Sequence, residues 1–222
     1  MVDSSLRTHL YRTVSDTYYA MAAMQNAGIA LEWVRSALNM SWDEMYGTAF
    51  ALEPGCEGLS FLPYLTGERT PHLDPQARGA WHGLSLKHDC GHLARSAFEG
   101  VAFALKDGLT ALADAGTEPD DLRLAGGGTL RPEWRQLLAD ALEKPLYAVS
   151  VPSASAKGAA LLAGLGTGAF SNPDETAALS PEPVLCAEPS GAKVLSKAYE
   201  RFQTLYPALH SFSQCGPLPN SS

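Results

Sequence analysis

A chain of 222 residues with 45% hydrophobic and 18% charged residues can bury the core of one large domain or two small ones, which excludes a disordered segment. Its formal net charge is −8 and its basic residues do not cluster, which argues against a nucleic-acid partner. No apolar run reaches the roughly 20 residues that span a bilayer, and the N-terminus lacks an apolar signal core, so the sequence reads as cytoplasmic with no membrane partner.

In chain order, Thr17–Met24 (TYYAMAAM) reads as an aromatic and apolar strand. Asn26–Leu38 reads as a helix with Ile29, Trp33 and Leu38 on its apolar face. A weaker helix follows over Asp43–Leu52. Leu59–Leu62 and Ala80–Leu84 read as short strands around a Pro-, Gly- and charge-rich loop, GERTPHLDPQARG. That loop holds Glu68, Arg69, His72, Asp74 and Arg78. Three readings stay open for it: solvated charges, a buried Arg–carboxylate scaffold, or Glu68 and Asp74 as general bases.

His92–Ala115 gives the clearest helix, because Leu93, Ala97, Val101, Leu105 and Leu109 recur every four residues, and Gly116 suits its stop. Leu122–Ala125 reads as a strand, Gly126–Gly128 as a turn and Pro132–Leu142 as a helix, with Pro132 placed where its missing N–H costs nothing. Leu146–Val149 is a further strand. Ser153–Gly168 is a small-residue helix suited to close packing, Ser171–Glu188 an irregular stretch, and Lys193–Tyr206 a last helix. Strands alternating with helices give an α/β fold. Cys56, Cys90, Cys186 and Cys215 have no metal or redox spacing and read as reduced, mostly buried thiols.

Three consecutive glycines between a strand and a helix are costly to order. They serve either a tight turn or a ligand lying close to the backbone, as phosphates do at helix N-termini. Gly28, at the start of its helix, has the same two readings.

The stretch GAWHGLSLKHDCGHLARSAFEG, Gly79–Gly100, resembles the second signature of the FGGY carbohydrate kinases, carried by Gly79, Trp81, Gly83, Leu84, His92, Leu93, Ser96, Ala97, Phe98 and Glu99. The loop upstream is most similar to that of the xylulokinase branch. LAGGGTLRPEWRQLLADAL resembles the family's adenosine-binding turn and helix, and SAKGAALLAGLGTG its next helix. One departure is Ser153, where the family commonly has a glutamate.

The resemblance implies an actin-like ATPase (ribonuclease-H-like) domain, the C-terminal half of a two-domain sugar kinase. Residues 1–210 would be that domain and residues 211–222 a flexible tail. The expected activity is transfer of the γ-phosphoryl group of ATP, with Mg2+, to D-xylulose. Another sugar or polyol (gluconate, ribulose, glycerol) and a non-catalytic nucleotide-binding remnant are the alternatives. The nucleotide-binding positions would be Gly28, Glu32, Gly126, Gly127, Gly128, Thr129 and Glu133. Family chains run to roughly twice this length, as two-domain proteins do. The sugar domain and its aspartate base would therefore lie outside this chain, leaving it no catalytic residue and no metal ligand. An apolar face toward that domain would be exposed, which favours self-association, a homodimer included.

Overall fold

The computed structural model describes residues 3, 6–14, 17–126, 130–149, 151, 153–191 and 193–213. The chain opens with a hairpin the sequence reading only half found: β1 (His9–Arg12) pairs antiparallel with β2 (Tyr18–Met21), Tyr11 opposite Tyr19. Then come α1 (Gly28–Ala37) and α2 (Trp42–Phe50). α2 starts where a capping box allows it: Ser41 Oγ accepts the Glu44 N–H, and the Glu44 carboxylate accepts the Ser41 N–H at 2.7 Å. β3 (Ser60–Leu62) and β4 (Ala80–His82) pair antiparallel around the charged loop.

α3 (Cys90–Asp114) follows, capped by Asp89, whose carboxylate accepts the His92 N–H at 3.1 Å. β5 (Leu122–Leu124), α4 (Pro132–Leu142) and β6 (Leu146–Ala148) form a strand–helix–strand unit with parallel strands, Leu122 opposite Leu146. β7 (Val184–Ala187) joins β6 antiparallel. Outside these lie α5 (Ala154–Gly166), α6 (Pro173–Ala177) and α7 (Lys193–Ser213).

The core is organised around α3, which touches α1, α2, α4, α7 and β3. The expected single apolar stripe is too narrow a description. Every residue from Ala94 to Ala104 is buried, so the middle of the helix is covered on all sides. Glycine and alanine make that possible. A Cβ at Gly100 would collide with the carbonyl oxygen of Phe61.

Other expectations are corrected. α1 buries Ala30, Leu31 and Val34, while Ile29 and Trp33 face outward at 58% and 46% exposure, because α3 lies against the opposite side. α5 buries none of its residues, and close packing against its small side chains is seen at Gly164, where a Cβ would stand 2.5 Å from the Phe170 ring. The stretch expected to be irregular contains α6 and β7, the latter drawn in by pairing with β6. α7 continues past Tyr206 and Pro207 to Ser213, so the tail expected from residue 211 begins inside a helix. Cys56 is buried, but Cys90 is exposed and Cys186 half-buried, and all three are free thiols.

The charged loop is not a solvated surface. Glu68 and Asp74 are 1% and 7% exposed. Glu68 accepts the backbone N–H groups of Gln25 and Arg69, both at 2.8 Å, and Asn26 donates to the carbonyl of Gly67. Thr70 Oγ1 accepts the Ala23 N–H at 3.0 Å. The scaffold is thus carboxylate to backbone amide rather than carboxylate to arginine, and it pins residues 23–26 just before α1. Burial pushes the Glu68 carboxyl up from its ordinary value, against those hydrogen bonds.

At the far side of the loop, His72 stacks on Tyr206 of α7 with ring centroids 3.7 Å apart, and Tyr206 donates to Asp74 at 2.9 Å. His210 Nδ1 lies 3.2 Å from the same carboxylate. Burial holds the His72 imidazole down at about 4, against the pull of Asp74. A histidine with a lowered folded value binds its proton less readily in the native state, so stability falls as pH drops from about 6.5 toward 4. Allowing for solvent screening, that loss is ~2 kcal/mol. His72→Phe keeps the stack and should flatten this part of the profile. Urea midpoints at pH 7 and pH 4.5 test it, and equal pH dependence in both proteins would remove His72 as the cause.

Candidate nucleotide site

A cavity of about 520 Å3 lies along one face of α3, between the chain that leaves β2 and the β5–α4 unit. At its Val101 end three aromatic side chains, Trp42, Tyr46 and Trp134, line it. They are held by Phe98 of α3, whose ring centroid lies 4.9 Å from Tyr46 and 5.3 Å from Trp134. Trp42 stands 6.1 Å from Tyr46, one helical turn away. Arg131, the residue before α4, lies 5.2 Å over the Tyr46 ring and bonds to Asp43 in the first turn of α2. That bridge ties the starts of α2 and α4 together.

Two backbone features meet this aromatic wall. Gly28 is the first residue of α1 and lines the cavity. A Cβ built on it would meet nothing within 4 Å, so the space over the helix start is open. On the opposite side Ala125 lines the cavity, and Gly126 follows with φ +98, a left-handed conformation that suits glycine. Neither α1 nor α4 has a side-chain cap among the described residues, whereas α2, α3 and α6 each have one. Uncapped helix starts present N–H groups and the positive end of the helix dipole.

The remaining predicted positions divide. Glu32 lies one turn beyond Gly28 and is exposed, paired with Arg35 at 2.5 Å, whose hydrogen bond lowers its pKa. Glu133 is exposed in the first turn of α4, beside a shallower hollow that it shares with Asp43, Tyr46, Gly47 and Arg131. Gly127, Gly128 and Thr129 lie outside the described residues. Of these positions Gly28 lines the cavity and Gly126 follows its lining residue Ala125, while Glu133 lines the neighbouring hollow and Glu32 lies on the exposed face of α1. The aromatic wall was missed. Its signal, Trp42 and Tyr46 four residues apart, reads equally as ordinary helix packing.

The fit to a nucleoside diphosphate follows from the donor set. An apolar, aromatic wall suits a base, and uncapped helix starts beside glycines suit phosphates. Among the described residues no group of three or more His, Cys, Asp and Glu is placed to hold a metal ion. No helix among them is long and apolar enough to cross a membrane.

Comparison with known proteins agrees with this architecture. Residues 2–167 match the FGGY family of carbohydrate kinases, C-terminal domain. The xylulose kinase of Staphylococcus epidermidis is 38% identical over 171 residues, 76% of this chain and 34% of that protein. The gluconokinase of Bacillus subtilis is 31% identical over 75% of this chain and 35% of its own length. The crystal structure of a "xyloylose kinase" from Brucella ovis superposes with a TM-score of 0.83 at 32% identity, over 94% of this chain and 44% of that one. The chain thus spans about a third of the length of these curated relatives. With a mixed α/β architecture, the signature positions in place and the match covering most of its length, the chain belongs to the FGGY family of carbohydrate kinases, matching their C-terminal domain.

Proposed function

We propose that this chain is the nucleotide-binding part of an ATP-dependent sugar kinase of the cytoplasm, with D-xylulose as the acceptor. The observation that carries the reading is the cavity lined by Gly28, at an uncapped helix start, by Ala125 at the end of β5, and by three aromatic rings. On this reading the fold is the C-terminal, actin-like (ribonuclease-H-like) half of the kinase. The described residues up to the end of α7 at Ser213 make up the nucleotide-holding domain.

The adenine rests against Trp42, Tyr46 and Trp134. The start of α1 receives the phosphates, and the turn after β5 lies against the adenosine. Gly127, Gly128, Thr129, Glu32 and Glu133 complete the margin. Mg2+ arrives with the nucleotide, whose phosphates supply its ligands. ATP supplies the transferred phosphoryl group. This chain binds and orients it, and the sugar and its aspartate base are held by a separate domain that closes over the cleft. Xylulose is preferred to gluconate because the staphylococcal xylulose kinase is the more similar of the two relatives, at 38% against 31% identity.

Titrating the folded chain with Mg-ADP in a calorimeter tests the core of the reading. Saturable binding near one site per chain is expected, with phosphoryl transfer slow in the absence of the sugar domain. Flat heats from a folded sample would overturn it.

A further inference from the structure

A smaller pocket of about 200 Å3 opens on the opposite side of α3, among α3, α7 and the charged loop. Its α3 lining is Asp107 and Thr110, which lie about 200° round the helix from Leu105 and Leu112 of the nucleotide cavity. Tyr64 and Phe202 make the floor, at 0% and 1% exposure, and Thr110 and Gln203 stand exposed at the rim. The stacked rings of His72 and Tyr206 form the wall on the loop side, with Tyr64 edge-on to them at 5.2 and 5.9 Å.

The ionisable groups of the lining are already matched inside the protein. Arg7 pairs with Asp114 at 2.9 Å. Asp107 accepts the Tyr199 hydroxyl at 2.6 Å and a hydrogen bond from Gln203. Tyr64 Oη and His72 Nε2 lie 3.1 Å apart, and burial lowers the imidazole and raises the phenol, so both are neutral near pH 7. Tyr206 is engaged with Asp74. A charged ligand would find no counterion here. Hydrogen-bonding capacity remains, because a carboxylate offers about four acceptor sites and a hydroxyl about three bonds in all. Asp107 and Tyr64 each keep capacity beyond the partners just named.

We infer that this pocket binds a small, neutral polyhydroxy compound of pentitol size, whose hydroxyls bridge Asp107, Gln203 and the Tyr64 hydroxyl while its carbon chain lies against the Tyr206 ring. Hydroxyls both donate and accept, which suits a lining that sets a carboxyl, an amide and a phenol side by side. Ring faces with a few placed polar groups are the usual make-up of a small-molecule site. The volume is several times the roughly 30 Å3 share of one water and below the roughly 300 Å3 at which drug-sized sites begin, which sets the size of the ligand. A bound polyol ties α7 to α3 and to the charged loop. The inference rests on this pocket and not on the nucleotide reading.

The test titrates xylitol into the whole chain and follows the backbone amides by two-dimensional NMR. Saturable shifts in the millimolar range, as suits a ligand of about ten non-hydrogen atoms, are expected at Asp107, Thr110, Gln203 and Tyr206. Gln203→Leu keeps a good helix former on the exposed face of α7 and should weaken xylitol about tenfold. Tyr64→Phe deletes only the floor hydroxyl and should weaken it comparably, which guards against an indirect effect through α7. Three outcomes overturn the inference: shifts that grow without saturating, equal affinity in wild type and both variants, or tighter binding at the same amides by tetramethylammonium or acetate. The last would make the pocket a site for a charged ligand.

Discussion

Glu99→Ala is expected to cost about 3–5 kcal/mol of folding stability, a large share of the roughly 5–15 kcal/mol available to a domain. Glu99 is the acid that ends the kinase signature, yet it sits on the buried half of α3 at 2% exposure. It accepts Arg95 Nε at 2.8 Å, one turn back, and the Gly55 N–H at 2.8 Å. Arg95 is 5% exposed and lies 5.0 Å over the Phe50 ring. Burial pushes the Glu99 carboxyl up, and Arg95 opposes it. Removing the carboxylate strands a guanidinium in a dry core and leaves the Gly55 amide without its acceptor. Urea denaturation measures the loss. Glu99→Gln, which keeps an acceptor, should lose less, and Arg95→Met with Glu99→Leu should recover most of the stability. A loss under 1 kcal/mol for Glu99→Ala would mean that the pair is not coupled.

Gly28→Val is expected to do the opposite, weakening Mg-ADP binding tenfold or more while leaving stability within about 0.5 kcal/mol. A Cβ there meets no protein atom within 4 Å, so the branched side chain fills only the space assigned to phosphates. Valine is also the better helix former of the two, so α1 does not suffer. Each factor of ten in affinity corresponds to about 1.4 kcal/mol. Calorimetry beside a thermal melt separates the two effects. Unchanged affinity would remove the start of α1 from the site. Gly126→Ala is a less clean probe, because φ +98 strains any side chain whether or not ligand is present.

Much of this was legible in the sequence where a local rule decides the structure. Pro132 opens α4, and the alternation of apolar runs with helices gave the strand–helix–strand unit. The reading failed where partners far along the chain decide. β7 forms because β6 offers an edge, not because of its own composition. The outward face of α1 carries Ile29 and Trp33, which only the position of α3 reveals. For Glu68 and Asp74 three readings stayed open, since a loop sequence does not show that its acids bond to an amide more than forty residues upstream and to a tyrosine of the last helix. Gly28 and Gly126 were singled out by their chemistry. The rings of Trp42, Tyr46 and Trp134 were not, because apolar side chains look alike in a sequence whether they face a core or a ligand.

The glycines and alanines of α3 have a consequence for how this sequence can drift. With neighbours pressed against it on every side, the helix is constrained by volume rather than by hydrophobicity. An added methyl at Gly100 has nowhere to go, whereas a methyl lost from a neighbour such as Leu62 of β3 leaves a hole that the surroundings can partly fill. Accepted changes in the core should therefore accumulate on the elements around α3, and the central helix should keep its small residues while its neighbours exchange theirs.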